Sequence, residues 1–269
     1  MHTVGKATTM RNRAQVDSLG EAMTPAVVPE PAVRVPHKPK RKADRVFFSV
    51  MVLLLLATVL WGFSRTYFLA GMVTAPLPNR LIHIHGAVFT LWMVLLVVQT
   101  ALISARRVGM HRTLGMFGFG LAVVMVVLGT LAAADALRRG QAPLGLDART
   151  FWVIPMSDMF LFSVFVFSAY WKRSRPEAHK RLILISTIAL ADAAIGRLPI
   201  ALFQAHPPTQ DIASFGFLLA IVVYDLFSLH RVSRTTIWAS LLLVVVHLTR
   251  VPIGFTPAWH SLADWVIRH

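Results

Sequence analysis

The sequence predicts an all-α polytopic membrane protein, a bundle of about seven transmembrane helices with the N-terminus inside and the C-terminus outside. Three observations point there. Of the 269 residues, 56% are hydrophobic and only 14% charged, where soluble domains carry roughly 25% charged residues. The apolar residues gather in seven segments separated by polar turns. Lysine and arginine concentrate at alternate turns, the bias that sets membrane orientation.

Residues 1–45 read as a disordered, basic, Pro-rich cytoplasmic tail, ahead of a seven-helix domain at 46–269. The tail holds Pro25, Pro29, Pro31, Pro36 and Pro39, and basic residues condense at Lys38, Lys40, Arg41, Lys42 and Arg45. No apolar period accompanies them. The first apolar segment lies too deep and is too long for a signal-peptide core. It lacks a small-residue cleavage site and is expected to stay as an anchor.

The segments are 46–70, 81–105, 114–137, 151–171, 182–203, 212–229 and 236–255, the sixth being the shortest. Each is near the roughly 20 residues that cross about 30 Å of hydrocarbon. Long apolar runs rather than alternation argue against barrel strands. Backbone groups in lipid must pair internally, which leaves helices. With the N-terminus inside, the inner turns carry Arg106, Arg107 and Arg112, then Lys172, Arg173, Arg175, Lys180 and Arg181, then Arg231 and Arg234. The outer turns carry fewer, the 138–149 loop with Arg138, Arg139 and Arg149 being the exception.

The formal net charge is +15. Because the basic residues flank apolar runs, the expected partner is a bilayer with anionic headgroups at the cytoplasmic side, not nucleic acid. There is no cysteine, so any metal or haem would rest on His, Met, carboxylate or Tyr ligands.

Ionisable groups within spans are costly, at least about 2.5–3.5 kcal/mol at mid-bilayer. Here Arg65, His83, His85, Asp158, Asp192, Arg197, His247 and Arg250 come from five spans. Most fall within one layer, roughly 3–12 Å below the outer boundary at 1.5 Å per residue. In the inner half Asp225 stands at similar depth and is expected to pair with the basic rim at His230 and Arg231. His247 and Arg250, three apart, share a helix face. Pro252 follows, so the end of span seven is expected to kink or unwind. His83 and His85 lie about 200° apart around a helix and cannot both chelate one metal. Gly86 permits close approach by a helix or flat ligand. Gly196 and Pro199 beside Asp192 and Arg197 suggest a broken helix carrying charge.

Two chemistries fit. The first is a buried redox cofactor, b-type haem or a metal ion, or a small polar ligand. It would use His85 and His247 with His83, Arg65, Arg197 and Arg250 around it. The second is proton-coupled movement of a small solute, with Asp158 and Asp192 as proton relay or ion pair. A structural or accessory subunit is the third reading. No G-x-S-x-G elbow, H-E-x-x-H pair or P-loop supports a hydrolase, and span seven has no lysine for a retinal Schiff base.

HGAVFTLW (His85 to Trp92), Gln99, HRTLG (His111 to Gly115), HKRL (His179 to Leu182) and Arg197-Leu198-Pro199 resemble a group of uncharacterised bacterial multi-pass membrane proteins. The likeness covers about two thirds of the chain. It implies a fold and a place in the bacterial inner (plasma) membrane, and no activity. The helix–His–basic arrangement is also faintly similar to cytochrome b561-like membrane domains, which would imply haem binding.

Overall fold

The computed structural model describes residues 41–142, 145–200 and 208–269. The expected disordered tail lies outside the described residues as far as position 40. Among the described residues, α1 (Arg41–Gly62), α2 (Arg80–Ser104), α3 (Val108–Arg138), α4 (Ala148–Trp171), α5 (Pro176–Ile195), α6 (Pro208–Leu229) and α7 (Arg234–Gly254) run up and down. A short helix, α8 (Pro257–Arg268), follows. Side-chain caps set several starts. Asn79 accepts the Ile82 N–H at 3.0 Å, and Ser233 accepts that of Thr236 at 3.1 Å. Asp147 accepts those of Arg149 and Thr150 at 3.0 and 3.1 Å, each satisfying orphan donors of a first turn.

Six of these helices, α1–α4, α6 and α7, are long and apolar enough to cross a membrane. That is the make-up of a multi-pass membrane protein. The exception, α5, sits at the centre of the bundle, with 12 of its 20 residues buried. A helix wrapped by protein needs no lipid-facing stripe, so it can carry Lys180, Arg181, Ser186, Thr187 and Asp192. Around its middle lies a dry layer of fully buried Leu161, Phe162, Phe165, Ile185, Ile188, Ile221 and Leu243. The outward faces are apolar too, with Leu54, Phe117, Val127, Phe160, Leu219 and Leu241 exposed.

Element ends differ from the sequence expectation. Helix α1 already covers residues 41–45, which the sequence reading gave to the tail, and Asp44 within it is held by Lys180 at 2.9 Å and by the Tyr224 hydroxyl. It ends at Gly62, not 70. Gly62 passes so close to α5 that a side chain there would strike the Ala194 carbonyl. The chain then turns through a π-helical segment, Ser64–Phe68. Helix α5 ends at Ile195 with Gly196 as its cap, so it terminates before Arg197 rather than breaking around it. Residues 201–203 of that expected span lie outside the described residues. Helix α6 is described from Pro208, ahead of the expected 212, and covers 22 residues to Leu229. Helix α7 stays helical through Pro252 to Gly254 instead of unwinding.

Helix α8 was not anticipated. It lies at the far end of the bundle, opposite the start of α1, and the arginines of the exceptional loop hold it there. Arg149 pairs with Asp264 at 2.5 Å, and Arg138 donates to the Val266 carbonyl at 3.1 Å. Arg139 pairs with Asp135 of α3 at 2.8 Å. Trp259 donates to the Arg149 carbonyl at 2.9 Å and packs on Trp152. The Asp147 carboxyl at this junction is held below its ordinary range by hydrogen bonds from Thr150 and Arg149.

Candidate functional site

At the far end of the bundle α4, α5, α6 and α7 each place a charged side chain at one point. Pro155 interrupts the hydrogen bonding of α4 one turn before Asp158. Asp192 occupies the last turn of α5. Asp211 occupies the first turn of α6. His247 and Arg250 line one face of α7 and are buried.

Arg250 is the hub. Its Nη1 donates to Asp158 Oδ1 at 3.2 Å. Its Nη2 donates to Asp192 Oδ2 at 2.6 Å and to Asp211 Oδ1 at 2.5 Å. His247 Nδ1 lies 3.0 Å from the same Asp211 oxygen, and Ser214 donates to Asp192 Oδ1 at 2.8 Å. The side chains of Asp158, Asp192, His247 and Arg250 are 7% exposed or less, whereas Asp211 is 23% exposed. Asp211 is therefore the way in. His247 Nε2 and Arg250 Nε are buried without a partner.

The charge does not balance. Three carboxylates share one guanidinium, and a protonated His247 would still leave one negative charge over. An uncompensated ion away from water costs several kcal/mol. Asp158, Asp192 and His247 each offer one ligand atom, all within 4.8 Å of one another. Bound metal at about 2.0–2.2 Å per ligand would require them to close by roughly an ångström. It would also compete with Arg250 for the carboxylate lone pairs.

A second buried network closes the basic end. Arg181, wholly buried, pairs with Asp225 through Nε at 2.9 Å and through Nη2. Its Nη1 reaches Glu177 Oε2 at 2.6 Å. Asp225 Oδ2 also accepts the Ser233 N–H at 3.0 Å and the Thr236 hydroxyl at 2.6 Å. The partner of Asp225 is therefore Arg181 rather than the expected His230 and Arg231. The packing of α6 against α5 carries Asp225 to Arg181 in the second turn of that helix.

Of the eight residues expected in the layer, the fold joins Asp158, Asp192, His247 and Arg250. Arg65 and His83 are exposed. His85 packs on the Phe89 ring at 4.1 Å, near Arg197 and the Leu128 carbonyl. Its buried Nδ1 is unpartnered. Arg197 lies 4.9 Å over the Phe63 ring and donates to the Ala193 carbonyl at 2.5 Å. The close approach that Gly86 permits is taken by the Tyr67 ring. Trp92 is buried, its Nε1 donating to Thr187 at 3.2 Å, so it packs the bundle's middle. Sequence reading missed Asp211 by leaving it in the turn before the sixth span, and did not single out Ser214 within that span. The signal was Pro208 followed by an acid three residues on, a usual helix start.

Compared with models of known families, with curated proteins and with solved structures, the chain matches none.

Proposed function

We propose that this chain is a seven-span membrane protein, N-terminus in the cytoplasm, that takes up a proton at the Asp158–Asp192–Asp211 cluster in coupled movement of a small solute. The observation that carries the reading is the ratio, among the described residues, of three carboxylates (Asp158 and Asp192 buried, Asp211 partly exposed) to one guanidinium. Such an excess of acid is neutral only when protons or a cation are bound, so occupancy follows the proton concentration on the side that Asp211 faces. Seven spans are supported by α5, which brings Arg181 to one buried network and Asp192 to the other, as a traversing helix does. The N-inside orientation is supported by the arginines of the 138–149 loop, which are taken up by α8 and Asp135, while the greater number of basic residues lies at the α1 end.

Loading is what the geometry addresses, through one chain of groups. Asp211 meets the medium, and His247 Nδ1 and Arg250 Nη2 share its oxygen. Arg250 passes the change in charge to Asp192 and Asp158 by shifting its hydrogen bonds. The dry layer of Phe162, Phe165 and Ile188 stops a proton there. Release to the other side therefore requires a change of helix packing, not a wire.

A metal ion at the same place is the second reading, and one observation favours it. Asp211 holds His247 through Nδ1 while Nε2 stays free, the arrangement that orients imidazoles toward metals. Membership of a b-type haem fold remains a weaker proposal, since His85 is not among the groups gathered at His247.

Infrared difference spectroscopy of the purified protein tests the proton reading. A carboxylic-acid C=O band at neutral pH, lost in Asp158→Asn or Asp192→Asn, is the expected result. Proteoliposomes should acidify under an imposed gradient more slowly with either variant. A cluster with no protonated carboxyl and no flux would leave only a structural role.

A further inference from the structure

Helix α2 ends on a Schellman turn. The Arg106 N–H donates to the Ile103 carbonyl at 3.1 Å and the Arg107 N–H to that of Leu102 at 2.8 Å. The position after the cap takes a left-handed backbone, and glycine is the residue that does so without penalty. This chain puts Arg106 there, at φ 60°, with its side chain exposed. A charge kept where glycine folds more easily points to a use for the charge.

Two apolar grooves flank that turn. One, about 410 Å³, runs between α1 and α2. Lys42 and Arg45 stand at its mouth beside Ser104, and Val46, Val50 and Leu53 line its length. Arg45 donates to the Ser104 carbonyl at 3.1 Å, which fixes the two helix ends together. The other, about 600 Å³, runs between α2 and α3 and is lined by Val98, Leu102, Met110, Leu114 and Phe117. Arg107 leans on Met110 at its mouth. Each groove is therefore basic at its end and apolar along its length, with Ser104 bordering one and Arg107 reaching the other, three residues apart in the chain.

We propose that this paired groove is a binding site for one anionic glycerophospholipid, with its phosphate at Lys42, Arg106 and Arg107 and one acyl chain along each groove. The shape argues for a two-chain amphiphile over a free anion, because the greater part of the lining is aliphatic. The sign argues for an anionic headgroup, because the described residues at the mouths include four basic groups and no acid. Juxtamembrane basic residues attract acidic lipids by about fivefold each. The inference rests on the apolar helices alone and not on the proton reading.

The test uses full-length protein in detergent, titrated with dioleoyl-phosphatidylglycerol or dioleoyl-phosphatidylcholine and read by native mass spectrometry. The wild type should retain one phosphatidylglycerol with at least about fivefold preference. Arg106→Gly keeps the turn, so its melting temperature without lipid should not fall, yet it should lose about fivefold in retention. Gly109→Trp fills the wider groove, where nothing lies within 4 Å of an added Cβ, and should expel the lipid while inorganic phosphate has no effect. Equal retention of the two lipids would overturn the proposal. So would undiminished binding by Arg106→Gly, or by Gly109→Trp.

Discussion

Arg181 and Asp192 stand eleven residues apart on α5, so about 16 Å of helix separates two buried ionic networks. Each network draws on α6 and α7 as well, through Asp225 and Thr236 at one end and through Asp211 and Arg250 at the other. Between them the packing is apolar. Two charged layers thus lie on either side of a layer of fully buried apolar side chains.

The acid excess has an asymmetric consequence. Arg250→Gln removes the guanidinium that the three carboxylates share and should cost about 3–5 kcal/mol. Asp158→Asn replaces one acid of a surplus with a neutral group of the same shape and should stay within about 1 kcal/mol. Thermal melting of the two variants in one detergent compares them. Equal losses would show the cluster to be balanced, against the proton reading.

Asp211 is the exposed member, so it should govern rate and not folding. Asp211→Asn should melt near the wild type but slow proton uptake by about tenfold or more. Stopped-flow recording with a pH dye in proteoliposomes reads this. An unchanged rate would put the entry elsewhere.

At the basic end the pair is balanced, and the expectation reverses. Arg181→Met and Asp225→Asn should each cost about 3–5 kcal/mol, since each strands a buried partner. The double variant should cost clearly less than the sum, because the two residues touch. Additive losses would mean that the contact carries no coupling.

The α1–α5 crossing depends on Gly62. Gly62→Leu must push α1 away from the Ala194 carbonyl and should cost at least about 1–3 kcal/mol, the range for overpacked cores. Cross-linking between α1 and α5, read by gel mobility, should fall in parallel. Retained cross-linking and melting would show that the helices have slack.

Much of the bundle was legible in the chain. Apolar runs of about 20 residues name their own helices, because lipid forbids an unpaired backbone. His247 and Arg250 show their shared face by spacing alone. Asp158 and Asp192 stand out because charge inside a span is rare. Misplaced were residues whose depth depends on where a helix starts. Asp211 entered the site when α6 began at Pro208, and Arg181 left the rim when α5 turned out to be central.

What the sequence by itself determined is the membrane-type helical make-up and the presence of ionic groups that hydrocarbon will not hold singly. Hydropathy and charge are properties of residues, and they read locally. Only the tertiary structure decided which of those groups meet. Arg250 gathers Asp158, Asp192 and Asp211 because four helices converge there, while Arg65 and His83 at a similar expected depth face outward. Rotation of a helix about its axis costs no change in hydropathy, so depth is written in the chain and direction is set by packing.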